Sequence, residues 1–274
     1  MSGGERADPE LVAFLQRAAH DLIQKHRRVV RIAVAGPQGS GKSTLCAALA
    51  KADPRIAHFS LDDVYLTTQA RKDLAAKHGA LLKTRGPPGT HDLDLAKRTL
   101  MQLAAARSRD VVHLPRFDKL ADAPLKPALW PAFTGTANIV LVDGWCMGAL
   151  PEPASALAEP INDLEAAEDA DGRARAYSNA QLGDVYQGFF DRFDLFVTLL
   201  PSRFEVVPRW RLEQEAGLRG MSVDSLQPEV KAKIDRFVKH FERITRSMIA
   251  GLRRSDITIA LDDDRSAMEI REGL

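Results

Sequence analysis

A glycine-rich segment of eight residues constrains the fold of this chain more than any other feature. It reads Gly36-Pro37-Gln38-Gly39-Ser40-Gly41-Lys42-Ser43 and matches G-x-x-x-x-G-K-[S/T] at every fixed position. An apolar, β-branched run at 29–35 precedes it and a Leu- and Ala-rich run at 43–51 follows it, which predicts strand, loop and helix in that order. In this arrangement backbone N–H groups surround a phosphate at the positive end of the helix. We call residues 36–43 the phosphate loop.

The side chains of the phosphate loop have separate expected roles. Lys42 is expected to reach the β- and γ-phosphates of a nucleotide, and the Ser43 hydroxyl is expected to ligate Mg²⁺. A chance glycine turn would need neither the strand nor the helix, so nucleotide binding is the favoured interpretation. The predicted nucleotide-contacting residues are Gly36, Pro37, Gln38, Gly39, Ser40, Gly41, Lys42, Ser43 and Thr44.

The rest of the chain alternates short apolar runs with amphipathic stretches. Strands are predicted at 56–61, 111–114, 139–142, 195–200 and 257–261. Helices are predicted at 93–107, 178–192, 204–218 and 228–254, and a first helix is predicted from Pro9 onward. This alternation predicts an α/β fold with a mostly parallel sheet and helices on both faces. Irregular loops are predicted at 83–92, 115–135 and 144–172.

Charge and cysteine content exclude several classes of protein. The 38 Lys and Arg residues balance 37 Asp and Glu residues, so the net charge of +1 offers no basic field for nucleic acid. Cys46 and Cys146 have neither disulfide nor metal spacing and are expected in the core. The first residues lack an apolar signal region, and the longest apolar runs are strand-sized. We therefore expect a cytoplasmic protein without a membrane partner.

Carboxylates follow two of the predicted strands. The run 139–142 ends at Asp143, where a Walker B carboxylate would hold Mg²⁺ and where capping of the next turn is the alternative. The run 56–61 ends at Asp62 and Asp63, which point to opposite sides if the chain is extended there. A carboxylate at this place can act as a general base for an acceptor hydroxyl beside the γ-phosphate. The guanine-reading pattern Asn-Lys-x-Asp is absent, which argues against a GTPase.

Six segments together resemble a known family. Residues 60–67 look like the Asp-x-Phe-Tyr segment of the P-loop kinases related to uridine kinase, phosphoribulokinase and pantothenate kinase. More specifically, the phosphate loop with Thr44 and the segments at 85–92, 115–119, 142–148 and 209–212 resemble the D-glycerate 3-kinase family. The resemblance extends from about residue 29 to residue 264. The chain departs from the family pattern at Val64, usually aromatic, at Asp143, often Glu, and at Asp118, commonly Asn.

The resemblance implies roles that the local pattern leaves open. It makes Asp62 the general base and a metal contact, while Asp63 points away or caps a turn. It makes 204–220 a helical lid whose Arg209 and Arg211 offset charge on the transferred phosphoryl group. Two positions apart on a helix, these arginines diverge by roughly 200°.

The predicted acceptor site lies in two of the irregular loops. Arg85, Arg116 and Lys119 are candidates to hold an acceptor carboxylate because arginine can grip one with two hydrogen bonds, although solvent-facing charges are the alternative. The resemblance implies that His91 and Asp92 contact acceptor hydroxyls, and a plain helix N-cap is the alternative for Asp92. The negative charge of Asp118 in this region leaves the identity of the acceptor open.

These observations predict an ATP-dependent kinase with the P-loop NTPase fold. Residues 1–28 would form an N-terminal helical extension and residues 29–274 the kinase domain. The enzyme would use Mg²⁺ and transfer the γ-phosphoryl group to a hydroxyl of a small hydroxy acid, with D-glycerate as the first candidate. The alternatives are a kinase for a nucleoside, a pantothenate-like acid or a sugar, and a regulatory or assembly protein that only binds ATP.

Overall fold

The computed structural model describes residues 7–273, so the extension expected at 1–28 falls partly outside the described residues. The α-helices are α1 (Pro9–His26), α2 (Lys42–Ala52), α3 (Thr68–His78), α4 (Leu93–Ala105), α5 (Asp163–Glu168), α6 (Arg173–Gln181), α7 (Gln187–Phe190), α8 (Val207–Leu218) and α9 (Pro228–Ile249). The strands are β1 (Val30–Ala35), β2 (Ile56–Ser60), β3 (Val111–His113), β4 (Phe117–Asp118), β5 (Ala123–Pro124), β6 (Ala132–Thr134), β7 (Ile139–Gly144), β8 (Leu195–Pro201), β9 (Ile257–Leu261) and β10 (Ala267–Glu272).

A six-stranded sheet organises the chain, and its strand order is β10-β9-β8-β1-β7-β2. Strand β10 runs antiparallel to β9, and all other neighbours are parallel. The predicted α/β fold with a mostly parallel sheet is therefore confirmed. Ala35 of β1 pairs with Gly144 of β7, and Ser60 of β2 pairs with Asp143 of β7. The loops that follow these three strands therefore leave the sheet at one edge.

Helices cover both faces of this sheet, as its apolar strands require. On one face α1 and α2 pack on the sheet through a core that includes Leu11, Leu15, Leu45, Val34 and Val197. On the other face α4 and α7 pack through a core that includes Phe59, Val142, Leu100, Leu103 and Phe189. Cys46 and Cys146 are both buried in these cores, as predicted.

Helix α1 begins where the sequence predicts. The Asp8 carboxylate accepts a hydrogen bond from the backbone N–H of Glu10, and Pro9 occupies the first turn. Its buried residues Leu11 and Leu15 join the core against the sheet. None of the helices among the described residues combines the length and the apolar character that a membrane span needs.

Several elements differ from the prediction. The run 111–114 gives β3, which pairs with β6 in a separate two-stranded sheet. Its pattern is exposed, buried, exposed, so it can bury only Val112 and cannot serve as a central strand. The region predicted as a loop at 115–135 contains the short hairpin β4–β5 as well as β6. The sequence pattern predicted neither α3 nor β10.

Two predicted helices have different bounds. The helix predicted at 178–192 begins earlier, at Arg173, and is interrupted by a π-helical turn at Leu182–Tyr186 between α6 and α7. The helix predicted at 228–254 ends at Ile249. Gly251 follows in the left-handed region with φ of 110°, which a helix cannot continue through.

Candidate active site

The phosphate loop joins β1 to α2 and lies against α8. Gly39 has φ of 76°, and a Cβ atom at this position would lie 2.7 Å from backbone atoms of Trp210. Only glycine therefore allows this approach between the loop and α8. Lys42 begins α2 and is buried at 7% exposure. Its Nζ lies 3.4 Å from the carbonyl oxygen of Pro37, which folds the side chain back over the loop.

Asp143 lies at the end of β7 with no exposed surface, and two side chains hold its carboxylate. Ser43 Oγ donates to Oδ2 at 2.8 Å, and His58 Nε2 lies 2.7 Å from Oδ1. Burial raises the pKa of Asp143, but the His58 hydrogen bond and the charge of Lys42 outweigh burial and hold it below its ordinary value. A buried carboxylate and a hydroxyl in contact are hard oxygen donors that fit Mg²⁺.

Asp62 and Asp63 do not continue β2, contrary to the extended chain that we expected. The strand ends at Ser60, whose hydroxyl accepts from the Asp62 N–H and starts a 3₁₀ turn at Leu61–Asp63. Short polar side chains compete for backbone N–H groups in this way and end strands. The two carboxylates still diverge. Tyr65 donates its hydroxyl hydrogen to Asp62 Oδ1 at 2.5 Å.

Asp63 caps this turn, as the sequence allowed, and also holds the predicted acceptor residue Arg116. Arg116 Nη1 lies 2.5 Å from Asp63 Oδ2, and the Ser60 N–H lies 3.4 Å from the same oxygen. Burial raises the pKa of Asp63 above its ordinary value, although Arg116 and Lys119 act in the opposite direction. Lys119 itself is exposed.

Residues 85–92, which we call the acceptor loop, are joined to the turn that follows Asp62. The Leu66 N–H donates to the Thr90 carbonyl at 2.9 Å, and the Asp92 N–H donates to the Val64 carbonyl at 2.6 Å. These bonds bring His91 onto the ring of Tyr65, with 4.6 Å between ring centroids. The acceptor loop and Asp62 therefore belong to one hydrogen-bonded unit.

His91 is held on its other side by Tyr186, from the π-helical turn. Its Nδ1 lies 2.6 Å from the Tyr186 hydroxyl oxygen, which also accepts from the Gly89 N–H. Burial lowers the pKa of His91 to about 4. Among the described residues, the His91 Nε2 atom has no hydrogen-bond partner.

Asp92 caps α4, because its Oδ1 accepts from the Leu95 N–H at 2.8 Å. This is the structural role that the sequence offered as the alternative to acceptor binding, and the two roles are compatible. Asp118 has a similar local role in the β4–β5 hairpin. Its Oδ1 accepts hydrogen bonds from the N–H groups of Leu120 and Ala121, so the carboxylate is stabilised within the turn.

Arg85 belongs to a charged cluster around Asp122. Arg85 Nη1 lies 2.7 Å from Asp122 Oδ1, and the buried Arg71 contacts the other oxygen at 2.6 Å. The guanidinium carbon of Arg85 lies 6.0 Å from the centre of the Phe237 ring, and that of Arg211 lies 5.9 Å from the same centre. One of the two predicted lid arginines therefore shares a neighbour with the acceptor loop.

The two lid arginines diverge, as helical spacing requires. Arg209 contacts Asp264 and the backbone carbonyl of Asp263, and it also lies 3.8 Å from Glu213. Arg211 Nη2 lies 2.9 Å from Glu215. Each arginine thus has an acidic partner four positions along α8.

Sequence reasoning missed several residues around this site. His58, Tyr186, Asp122 and Phe237 carry no motif, and their positions follow from packing alone. It also missed a cavity of about 340 Å³ beside the phosphate loop. The lining of this cavity includes Gly41, Thr44, Leu199, Leu261 and Ser266.

Known proteins are similar to this chain over most of its length. No family model matches it. It is 28% identical to the chloroplastic D-glycerate 3-kinase of Arabidopsis thaliana over 86% of this chain and 53% of that protein, so it spans about half of that relative. The solved structure of D-glycerate 3-kinase from Cryptococcus neoformans superposes with a TM-score of 0.74 at 23% identity, covering 99% of this chain and 100% of that one.

A second curated relative is similar over a comparable share of both proteins. The uncharacterized kinase mug58 of Schizosaccharomyces pombe is 30% identical over 221 residues, which cover 77% of this chain and 77% of that protein. The solved structure from Cryptococcus neoformans has the same fold as this chain. The chain belongs to the D-glycerate 3-kinase family of P-loop kinases.

Proposed function

We propose that this protein is an ATP-dependent kinase that phosphorylates a hydroxyl of a small hydroxy acid, with D-glycerate as the first candidate. The observation that carries the proposal is the meeting of three segments at one sheet edge. The phosphate loop follows β1, Asp143 ends β7, and the turn with Asp62 follows β2. The acceptor loop is hydrogen-bonded to that turn. This arrangement supports the proposal, because the proposed phosphate-binding groups and the proposed base lie on neighbouring segments beside the candidate acceptor site.

In this proposal the phosphates of ATP lie in the phosphate loop, and Lys42 offsets their charge. The base of the nucleotide would occupy the cavity of about 340 Å³ beside Gly41 and Thr44. Ser43 and Asp143 would hold Mg²⁺, which neutralises phosphate charge when it is bound with the nucleotide.

Asp62 is the proposed general base. It would orient the acceptor hydroxyl and take its proton as the phosphoryl group is transferred. Tyr65 fixes one oxygen of this carboxylate, which leaves the other oxygen for the acceptor. Arg211 is the proposed lid residue that offsets charge on the phosphoryl group, since its guanidinium shares Phe237 with Arg85 of the acceptor loop.

The acceptor carboxylate would be held by basic residues of the loop regions. Arg116 uses Nη1 for Asp63, and its other nitrogens remain for a carboxylate. Lys119 is exposed nearby and acts on the same Asp63. His91, buried and neutral at physiological pH, would contribute a neutral contact to an acceptor oxygen. The Arabidopsis and Cryptococcus relatives, both named D-glycerate 3-kinase, support this choice of acceptor.

A screen of ATP consumption tests the proposal. The purified protein would be incubated with ATP, Mg²⁺ and one compound from each of four classes: hydroxy acids, sugars, nucleosides and pantothenate-like acids. The expected result is ADP formation with D-glycerate and a phosphoglycerate identified by mass spectrometry, both strongly reduced in Asp62→Asn. ATP binding without acceptor-dependent ADP formation in any class would contradict a kinase and favour a regulatory ATP-binding protein.

A further inference from the structure

His58 lies on β2, where the residues on either side of it are buried in the core. Its side chain turns towards the end of β7, where Nε2 lies 2.7 Å from Asp143 Oδ1. The other oxygen of the carboxylate, Oδ2, accepts from Ser43 at 2.8 Å. His58 is 17% exposed, whereas Asp143 has no exposed surface. One histidine and one hydroxyl therefore fix both oxygens of a buried carboxylate.

The direction of the His58 hydrogen bond follows from the chemistry of its partner. An ionised carboxylate accepts hydrogen bonds and donates none, so His58 Nε2 carries the hydrogen. A buried carboxylate that loses such a donor keeps a large desolvation penalty and is free to rotate towards another partner. Without His58, Oδ1 of Asp143 would therefore lack a partner from the strand side.

We propose that His58 is a positioning residue that holds Asp143 in the orientation needed to bind the metal–nucleotide complex together with Ser43. This inference rests on the proposed function, in which Ser43 and Asp143 would hold Mg²⁺. Hydrogen-bond partners of metal-binding side chains fix the orientation of those side chains, and their loss weakens metal binding by roughly 10- to 100-fold.

Cys46 provides a matched control at the same place. The Cys46 thiol, one ring nitrogen of His58 and a carboxylate oxygen of Asp143 lie within 4.8 Å of one another, and Cys46 is buried in α2. Cys46→Ala thus disturbs the packing around Asp143 and keeps both hydrogen bonds to its carboxylate. A loss of metal binding that came from packing alone would appear in this variant as well.

The test measures binding of Mn²⁺ by electron paramagnetic resonance in the presence of a non-hydrolysable ATP analogue. His58→Leu and His58→Ala remove the donor, and His58→Gln keeps a donor near the position of Nε2. The expected result is Mn²⁺ affinity reduced roughly 10- to 100-fold in the removal variants and restored to within a few-fold in His58→Gln. Affinity for the analogue measured in EDTA should stay unchanged in all variants, as should Mn²⁺ affinity in Cys46→Ala.

The outcomes separate this inference from the proposed function, because no acceptor and no turnover are involved. Wild-type Mn²⁺ affinity in a folded removal variant overturns the role of His58, and so does an equal loss in Cys46→Ala. If both removal variants unfold, the folded His58→Gln variant decides. Mn²⁺ binding by this variant that is clearly weaker than in the wild type overturns the role of His58. If the wild-type protein binds no Mn²⁺ with the analogue, the proposed function fails together with this inference.

Discussion

The hydroxyl of Tyr65 donates a 2.5 Å hydrogen bond to the Asp62 carboxylate, and the ring of Tyr65 stacks on His91. A single side chain therefore ties the proposed general base to the acceptor loop. Burial raises the pKa of Tyr65 well above its ordinary value, so its hydroxyl remains a donor across the working range of pH. This relationship supports the proposal that Asp62, rather than its neighbour Asp63, is the carboxylate that faces an acceptor.

The first prediction compares these two aspartates. Asp62→Asn should lower kcat by roughly 10²- to 10⁴-fold, because a positioned base is removed, while the KM for ATP changes little. Asp63→Asn keeps the base and breaks the ion pair with Arg116, so it should act mainly on the KM for the acceptor. Steady-state kinetics on both variants provide the measurement. A loss of kcat confined to Asp63→Asn would show that the two roles are reversed.

The second prediction concerns Arg116. Arg116→Ala should raise the KM for the acceptor by roughly 10- to 100-fold, since a charged hydrogen bond contributes about 1.5–3 kcal/mol, and should leave the KM for ATP unchanged.

Arg116 also neutralises the buried Asp63, so a double variant is needed as the control. If Arg116 binds the acceptor, Arg116→Ala with Asp63→Asn keeps the raised KM. Recovery of the wild-type KM in the double variant would instead mean that Arg116 only supports Asp63.

The third prediction separates the two lid arginines. Arg211→Ala should lower kcat by roughly 10²- to 10³-fold, the usual effect of removing a group that stabilises charge in the transition state. Arg209 pairs with Asp264 on the other side of α8, so Arg209→Ala should change kcat only a few-fold. Both variants are compared by kcat at saturating ATP and acceptor. Equal losses would contradict the assignment of Arg211 as the acting residue.

The fourth prediction is the pH dependence that His91 imparts to stability. Its folded pKa of about 4 lies below the value of about 6.5 expected in the unfolded chain. The unfolded state therefore binds more protons than the folded state between these values. The stabilisation of the folded protein by neutral His91 is complete above about pH 6.5 and is lost as the pH falls towards 4. Its full size is about 3 kcal/mol.

Urea unfolding at pH 7 and pH 5 measures this contribution. The difference in free energy of unfolding between the two pH values should be smaller in His91→Gln than in the wild-type protein. Burial also lowers the pKa of His240, so some of the difference should persist. His20→Gln, on the exposed side of α1, serves as the control. An unchanged difference in His91→Gln would show that His91 is not the buried neutral histidine described above.

Local pattern was enough to predict the phosphate loop and the strands that bracket it. β1, β7, β8 and β9 are apolar throughout most of their length, as buried parallel strands must be, and each was predicted within two residues. The order of these strands in the sheet depends on long-range packing, and no local pattern predicted it. β10 was missed because it offers only a short, fully exposed stretch in which Met268 and Ile270 alternate with charged residues, too little apolar sequence to mark a strand.

The rest of the site depends on contacts that no local pattern encodes. The motif indicated Asp62. It did not indicate the turn there, because capping by Ser60 competes with continuation of the strand, and the whole fold determines which of the two occurs. His58 lies in an otherwise ordinary strand, and its meaning comes from Asp143, 85 residues away in the chain. Tyr186 and Phe237 reach the site only through the packing of the π-helical turn and α9.

The most direct test of the central claim is competition between acceptors. Equal concentrations of D-glycerate, uridine and a neutral sugar would be incubated with ATP and the protein, and the phosphorylated products quantified by mass spectrometry, with Lys42→Met as the inactive control. A phosphoglycerate as the main product, absent with Lys42→Met, is the predicted result. Preferential phosphorylation of uridine or the sugar would contradict the hydroxy-acid assignment, and undiminished product with Lys42→Met would contradict the role of the phosphate loop.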